Sequence, residues 1–234
     1  MYSFFYAAVL TILFGMMACK SSDQLSTSGP ATSKEHDKSD LEAIYWARID
    51  SSRLNFTQAD TDFMTGMIGH HAQALIMSRL APENGAGTEI QTLAARIINA
   101  QDDEIASMQQ WLRDRDQPVP EVHIEGLNLM MHSGSNDDHH LGHMDHSDHT
   151  DMPGMLSQDQ LQELSEARDS HFERLFLRYM IEHHNGAVIM VKELFSIDGA
   201  AQDEEAFRLA SDIQVDQITE IERMRQMLKV RVDL

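Results

Sequence analysis

The chain has 234 residues, 42% apolar and 24% charged, the composition of a globular protein with material for one sizeable core. Its 38 acidic residues outnumber 18 basic ones, and a formal net charge of -20 repels phosphate backbones and anionic headgroups. Nucleic acid is thereby excluded as a natural partner; cations are the favoured one, although the same acidity also serves plain solubility.

Phe4 to Ala18 run without a charge, too short for the ~20 residues of a membrane span, and end on a small residue before Cys19. The pattern predicts a secretory signal over residues 1–18. Gly15-Met16-Met17-Ala18-Cys19 resembles a bacterial lipobox, whose cysteine becomes the lipidated first residue after cleavage. It departs from that pattern in two places: no Lys or Arg precedes the apolar run, and Met17 stands where a small residue is usual. Cys19 is the only cysteine, and a Lys/Ser/Thr/Gly/Pro-rich tether follows over residues 20–39. The expectation is a protein on the periplasmic side of a bacterial envelope membrane, anchored through lipid on Cys19, with a soluble periplasmic or secreted form as the alternative. With Cys19 so used, the mature domain has no thiol for disulfides or thiolate ligation.

Residues 40–54 predict a short extra helix with Ile44, Trp46 and Ile49 available for packing. A long helix from about Thr57 to Leu80 should stop at Pro82 and the Asn84-Gly85-Ala86-Gly87 turn, and its partner should run to about Asp116, ahead of Pro118 and Pro120. Residues 117–156 form a linker far longer than the roughly 2 to 8 residues usual between bundle helices. Ser157-x-x-Gln160 is a capping-box signature opening the second half. Its first long helix should end near Ser196, before Asp198-Gly199, and the last helix fills roughly Ala201 to Val230. No stretch alternates convincingly at period two, so no sheet is expected. The predicted fold is all-α: a four-helix bundle over residues 40–234, built from hairpins at 57–116 and 157–231.

The two hairpins are copies. Phe63-x3-Met67-Ile68-x-His70-His71-x2-Ala74-x-Ile76-Met77 recurs as Phe176-x3-Met180-Ile181-x-His183-His184-x2-Ala187-x-Ile189-Met190. Gln101-x2-Glu104-Ile105-x2-Met108 recurs as Gln217-x2-Glu220-Ile221-x2-Met224. Phe63, Met67, His70, Ala74 and Met77 form one helical stripe, as do their counterparts, while His71 and His184 lie about 100° further round. Each hairpin is expected to point its Phe, Met, His, Gln and Glu at its own other arm.

The linker carries His123, His132, His139, His140, His143, His146 and His149 with Met130, Met131, Met144, Met152 and Met155, interspersed with Asp137, Asp138, Asp145, Asp148 and Asp151. Imidazole suits zinc, copper and nickel, and thioether selects soft Cu(I), so this mixture points to copper, with silver or zinc as alternatives. On the helices, Met67 with His71 and Met180 with His184 are spaced i, i+4, so each pair can grip a soft cation from one face; Met64, Met77 and Met190 lie near enough to join or to form a second position. Against this, helical methionine is commonly core filler. His70 and His183, at the centre of their stripes, read as interior histidines partnered by Glu104 and Glu220, with metal ligation as the other reading; His71 and His184 are the better ligand candidates. A di-iron oxidase would need Glu-x-x-His, but Met67 and Met180 stand three before His70 and His183.

Met67-Ile68-Gly69-His70-His71 with Gln101-x2-Glu104-Ile105-x2-Met108, and their repeats, resemble the bacterial domain-of-unknown-function 305 family over about residues 57–116 and 170–230. The resemblance implies a ferritin-like four-helix bundle, usually exported, in a family that includes a periplasmic copper- and silver-binding resistance protein. The expected function is copper sequestration or transfer in the envelope, without enzymatic activity, the loop serving as collector and an envelope copper-handling protein as a partner. The alternatives are a metal-independent protein-interaction module and, further off, a di-metal oxidase.

Overall fold

The computed structural model describes residues 32–133 and 152–232. The chain divides between Ala43 and Ile44 into two units, the second of which holds the bundle. Helix α1 (Thr32–Arg53) starts earlier than the expected short helix and takes in the end of the 20–39 tether. Ile44 and Trp46 are 64% and 60% exposed, so they do not supply the packing expected of them. No helix among the described residues is long and apolar enough to cross a membrane.

The four long helices are α2 (Gln58–Glu83), α3 (Thr88–Arg113), α5 (Asp169–Ser196) and α6 (Glu204–Val232), with short α4 (Gln158–Glu166) between the halves. Helix α2 packs on α3 and α5, α5 on α6, and α3 on α6, which is the expected bundle of two hairpins. The start of α2 is set by Asp60, whose carboxylate accepts from the Thr57 backbone N–H and hydroxyl at 2.7 and 2.8 Å and, through its other oxygen, from Ala201 N–H at 2.7 Å. One buried side chain thus caps α2 and fixes the α5–α6 connection. Helix α2 runs past the expected stop at Leu80, because Pro82 forfeits one bond to Ser78 while its fixed φ remains helical; Asn84 N–H then closes on Leu80.

Two expectations, one for the second half and one for the linker, are corrected. The helix opened by Ser157, whose hydroxyl accepts from Gln160 N–H as the capping box requires, does not continue to Ser196 but breaks at Ala167 and Arg168, both extended. The cause is nonlocal: the Asn84 amide donates to the carbonyls of Leu164, Ser165 and Ala167, and Asp169 N–H donates to the Asn84 carbonyl. The linker also contains a sheet. Strands β1 (Pro120–Glu125) and β2 (Asn128–Ser133) pair antiparallel around Gly126, at φ 59°. Val122, Ile124, Leu129 and Met131 face the helical core, while Glu121, His123 and His132 face outward. The alternation is real, though it spans few positions, and α2 provides the surface that makes it pay off as a hairpin.

Candidate metal centre

Helix α2 is enclosed on several sides, by α3, α5, the hairpin and α4, so most of its residues are buried. His70 and His71 are therefore both inaccessible to solvent, as are His183 and His184. This layer interrupts the core: Met64, Met67 and Ala187 belong to one apolar cluster, and Met77, Phe176 and Met180 to the other.

Within the layer, His70 and His183 face each other across the α2–α5 contact, with ring centroids 3.9 Å apart and planes inclined by 37°. The glutamates serve the other histidines. His71 Nε2 lies 2.7 Å from Glu104 Oε2, and His184 Nε2 lies 2.6 Å from Glu220 Oε2. The expected pairing of Glu104 and Glu220 with His70 and His183 is thus reversed. On α2 and α5 the central His70 and His183 meet across the two hairpins, whereas His71 and His184, about 100° further round, meet their own partner arms. The His184 contact is a hydrogen bond, but the His71 approach has the distance without the alignment of one.

Residues 152–156 close the layer from the linker side. His70 Nε2 lies 3.0 Å from the Pro153 carbonyl, which can only accept, so that nitrogen carries the hydrogen and Nδ1 keeps a free lone pair. The Gln73 amide exchanges two bonds with the Leu156 backbone, at 2.9 and 2.7 Å. Gly154, at φ 78°, crosses α5 at Gly186, where a Cβ would lie 2.8 Å from Gly154 Cα and collide with the Pro153 carbonyl.

Many buried polar atoms here have no partner: Nδ1 of His70, His71 and His184, both ring nitrogens of His183, both amide atoms of Gln101, and Oε1 of Gln217. Burial first, then the neighbouring His71, holds His70 down at about 3, with the Pro153 carbonyl opposing. Burial and the nearby His70, His184 and His71 put His183 well below the ordinary value as well, with the His70 carbonyl opposing. These rings are neutral, as metal ligation requires. Outside the layer, Glu104 and Glu220 retain some exposure, and the carboxyl of Asp216 is raised, by partial desolvation first and then by Glu104, Glu220 and Asp212. Among the described residues, no three His, Cys, Asp or Glu side chains converge to hold a metal.

The profile of the domain of unknown function family (DUF305) matches residues 60–228. The chain belongs to the DUF305 family. Among solved structures it is similar to a DUF305 fragment from Deinococcus radiodurans, with 29% identity and a TM-score of 0.58 over 74% of this chain and 97% of that one. A DUF305 protein from Streptomyces coelicolor, named as a secreted protein, has 25% identity and a TM-score of 0.57 over 74% and 92%. CopM in its Cu(II)-bound form has 28% identity and a TM-score of 0.51 over 73% and 95%. No curated protein sequence matches the chain.

This DUF305 chain distributes its candidate ligands unevenly. Met64, Met67, Met77 and Met180 are wholly buried, on opposite sides of the histidine layer, and Met190 is half-buried. His123 and His132 are exposed on the outer face of the hairpin, His123 opposite Met130 in the register. His139, His140, His143, Met144, His146, His149 and Cys19 lie outside the described residues. Gln73 and Pro153 escaped the sequence reading, yet a signal for the docking site existed: where the first repeat has Gln73 the second has Gly186, and the return segment packs at that mismatch.

Proposed function

We propose that this protein is a non-enzymatic binder of a soft metal ion, copper foremost and silver by the same chemistry, which it sequesters or passes on in the cell envelope. The observation that carries the proposal is the layer of four buried histidines with unpartnered ring nitrogens, two of them held neutral, in a core that also contains methionines. A buried polar atom without a partner costs about 1–3 kcal/mol, so a ligand here offsets a penalty already built into the fold. Zinc favours four nitrogen, oxygen or thiolate ligands, a set the described residues do not assemble; Cu(I) and Ag(I) accept fewer ligands, thioether included. The likeness to CopM in Cu(I)- and Cu(II)-bound forms, at 26% and 28% identity, supports the same reading. In this proposal the His-rich stretch 134–151 collects the ion and lipid on Cys19 holds the protein to its membrane.

The test is anaerobic Cu(I) titration against a chromophoric chelator, comparing the protein with His70→Ala/His183→Ala and with a variant whose His139, His140, His143, His146 and His149 are serine. Tight binding that weakens in the first variant and loses stoichiometry in the second is expected. Binding no tighter than to an unrelated protein of equal acidity would refute the proposal.

A further inference from the structure

The halves of the repeat differ along one face. The first has Gly66 and Gly69 where the second has Tyr179 and Glu182. Leaving two side chains off α2 opens a trough, and methionines from three different parts of the chain enter it. A Cβ at Gly69 would lie 2.7 Å from Met131 Sδ and 3.9 Å from Met152 Cε. A Cβ at Gly66 would lie 3.4 Å from Met152 Sδ and 3.5 Å from Met190 Cε. Met152 therefore spans the trough, with Met131 of β2 at one end and Met190 of α5 at the other.

Unlike Met64, Met67, Met77 and Met180, these three side chains are only partly buried. Methionine also fills irregular gaps, but these three thioethers stay within reach of solvent rather than sealed in the core. Clustered, partly exposed thioethers instead form a soft, uncharged ligand set that solvent-borne ions can reach. The trough also occupies a particular place in the chain. Met131 and Met152 are the nearest methionines on either side of the His-rich stretch 134–151, and Pro153, next to Met152, accepts the hydrogen of His70 Nε2.

The geometry points to a second metal site: Met131, Met152 and Met190 together hold one Cu(I) or Ag(I) ion through their thioether sulfurs over Gly66 and Gly69, beside the Pro153 carbonyl that meets His70. This inference rests on the reading of the protein as a soft-metal binder, but uses none of the histidines that carry that reading. The site belongs to one half of the repeat alone, because Tyr179 and Glu182 put side chains where the second half would need the trough.

The test is Ag(I) titration of the full-length protein labelled with [13C]methyl methionine, with single Met→Leu variants supplying the assignments. The expected result is that the methyl signals of Met131, Met152 and Met190 shift together, and still shift in His70→Gln/His183→Gln. Met131→Leu/Met152→Leu/Met190→Leu, checked for unchanged helicity, should weaken this binding by more than the roughly 10- to 100-fold typical of losing an outer-shell partner. Gly69→Ala keeps all three thioethers but displaces Met131, and should weaken it as well. Silver binding that leaves these three methyls unmoved would overturn this site while leaving the histidine reading intact. Absence of any silver or copper binding would remove both.

Discussion

Gly186→Ala tests whether the return segment of the linker is part of the folded core. The new Cβ would meet backbone, the Pro153 carbonyl and Gly154 Cα, which cannot swing aside as a side chain can. Gly154 is itself held against the carbonyls of Glu182 and His183, where a Cβ on it would lie 2.6 and 2.9 Å away, so there is no room to slide. Residues 152–156 must then lift off α5. The loss comprises the His70 bond to Pro153 and the two Gln73 bonds to Leu156, about 1 kcal/mol each, together with the burial of Leu156, worth about 1.5–3 kcal/mol. Replacing a helical glycine returns about 1 kcal/mol, leaving a net destabilisation of about 4 kcal/mol. Urea unfolding followed by far-UV circular dichroism measures it. Gly66→Ala is the control: its Cβ meets only the flexible ends of Met152 and Met190, at 3.4 and 3.5 Å, and it should stay within about 1 kcal/mol of the parent. A Gly186→Ala protein equally close to the parent would refute the account of the segment as packed core.

Acid should weaken the fold in a window set by the buried histidines. Because His70 has a folded value near 3 against an unfolded 6.5, its contribution is complete above 6.5 and falls as pH drops from there towards 3. At pH 5 the loss relative to pH 8 is about 2 kcal/mol from His70 alone, with His183 acting in the same direction; urea midpoints at the two pH values check this. Arg115→Ala should cost about 3–5 kcal/mol in the same assay, because it strands the Asp203 carboxylate that Arg115 meets at 2.6 Å and Trp111 at 3.0 Å, at the joint between α3 and the start of α6.

Much of this was legible in the sequence, and the illegible remainder was nonlocal in origin. The repeat, the helical stripes and the Ser157 cap are properties of neighbouring residues, and the helices follow them. Periodicity gives the angle between His70 and His71 around the helix but not the identity of the neighbour at each angle. The angle alone therefore does not say which histidines the glutamates meet, and in the fold they meet His71 and His184. The α4–α5 break is imposed by Asn84, in the other hairpin, and leaves no strong signal at Ala167. The β-hairpin was hidden for a different reason. Met130, Met131, His123 and His132 attract attention as ligands, yet Met131 also serves as an inward strand position and the two histidines as outward ones.

The symmetry of the histidine layer and its unsatisfied atoms lead to a further consequence. Two hairpins supply matching His–Glu contacts, and between them His70 and His183 face each other with only one of four ring nitrogens hydrogen-bonded. An apolar pair there would avoid the penalty, so the layer weakens the metal-free fold in exchange for free lone pairs at a fixed separation. Metal held by the layer binds the folded chain and not the unfolded one, since only folding brings α2 against α5. Metal held by a histidine tract alone has no such preference. Cu(I) supplied at a hundredfold excess over its dissociation constant should therefore raise unfolding stability by about 2.7 kcal/mol, read from the urea midpoint under anaerobic conditions. His70→Ala/His183→Ala should abolish most of that increase while serine replacements at His139, His140, His143, His146 and His149 preserve it. Tight copper binding with an unchanged midpoint would place the metal on groups that do not need the bundle, and the buried layer would lose its role as a ligand set.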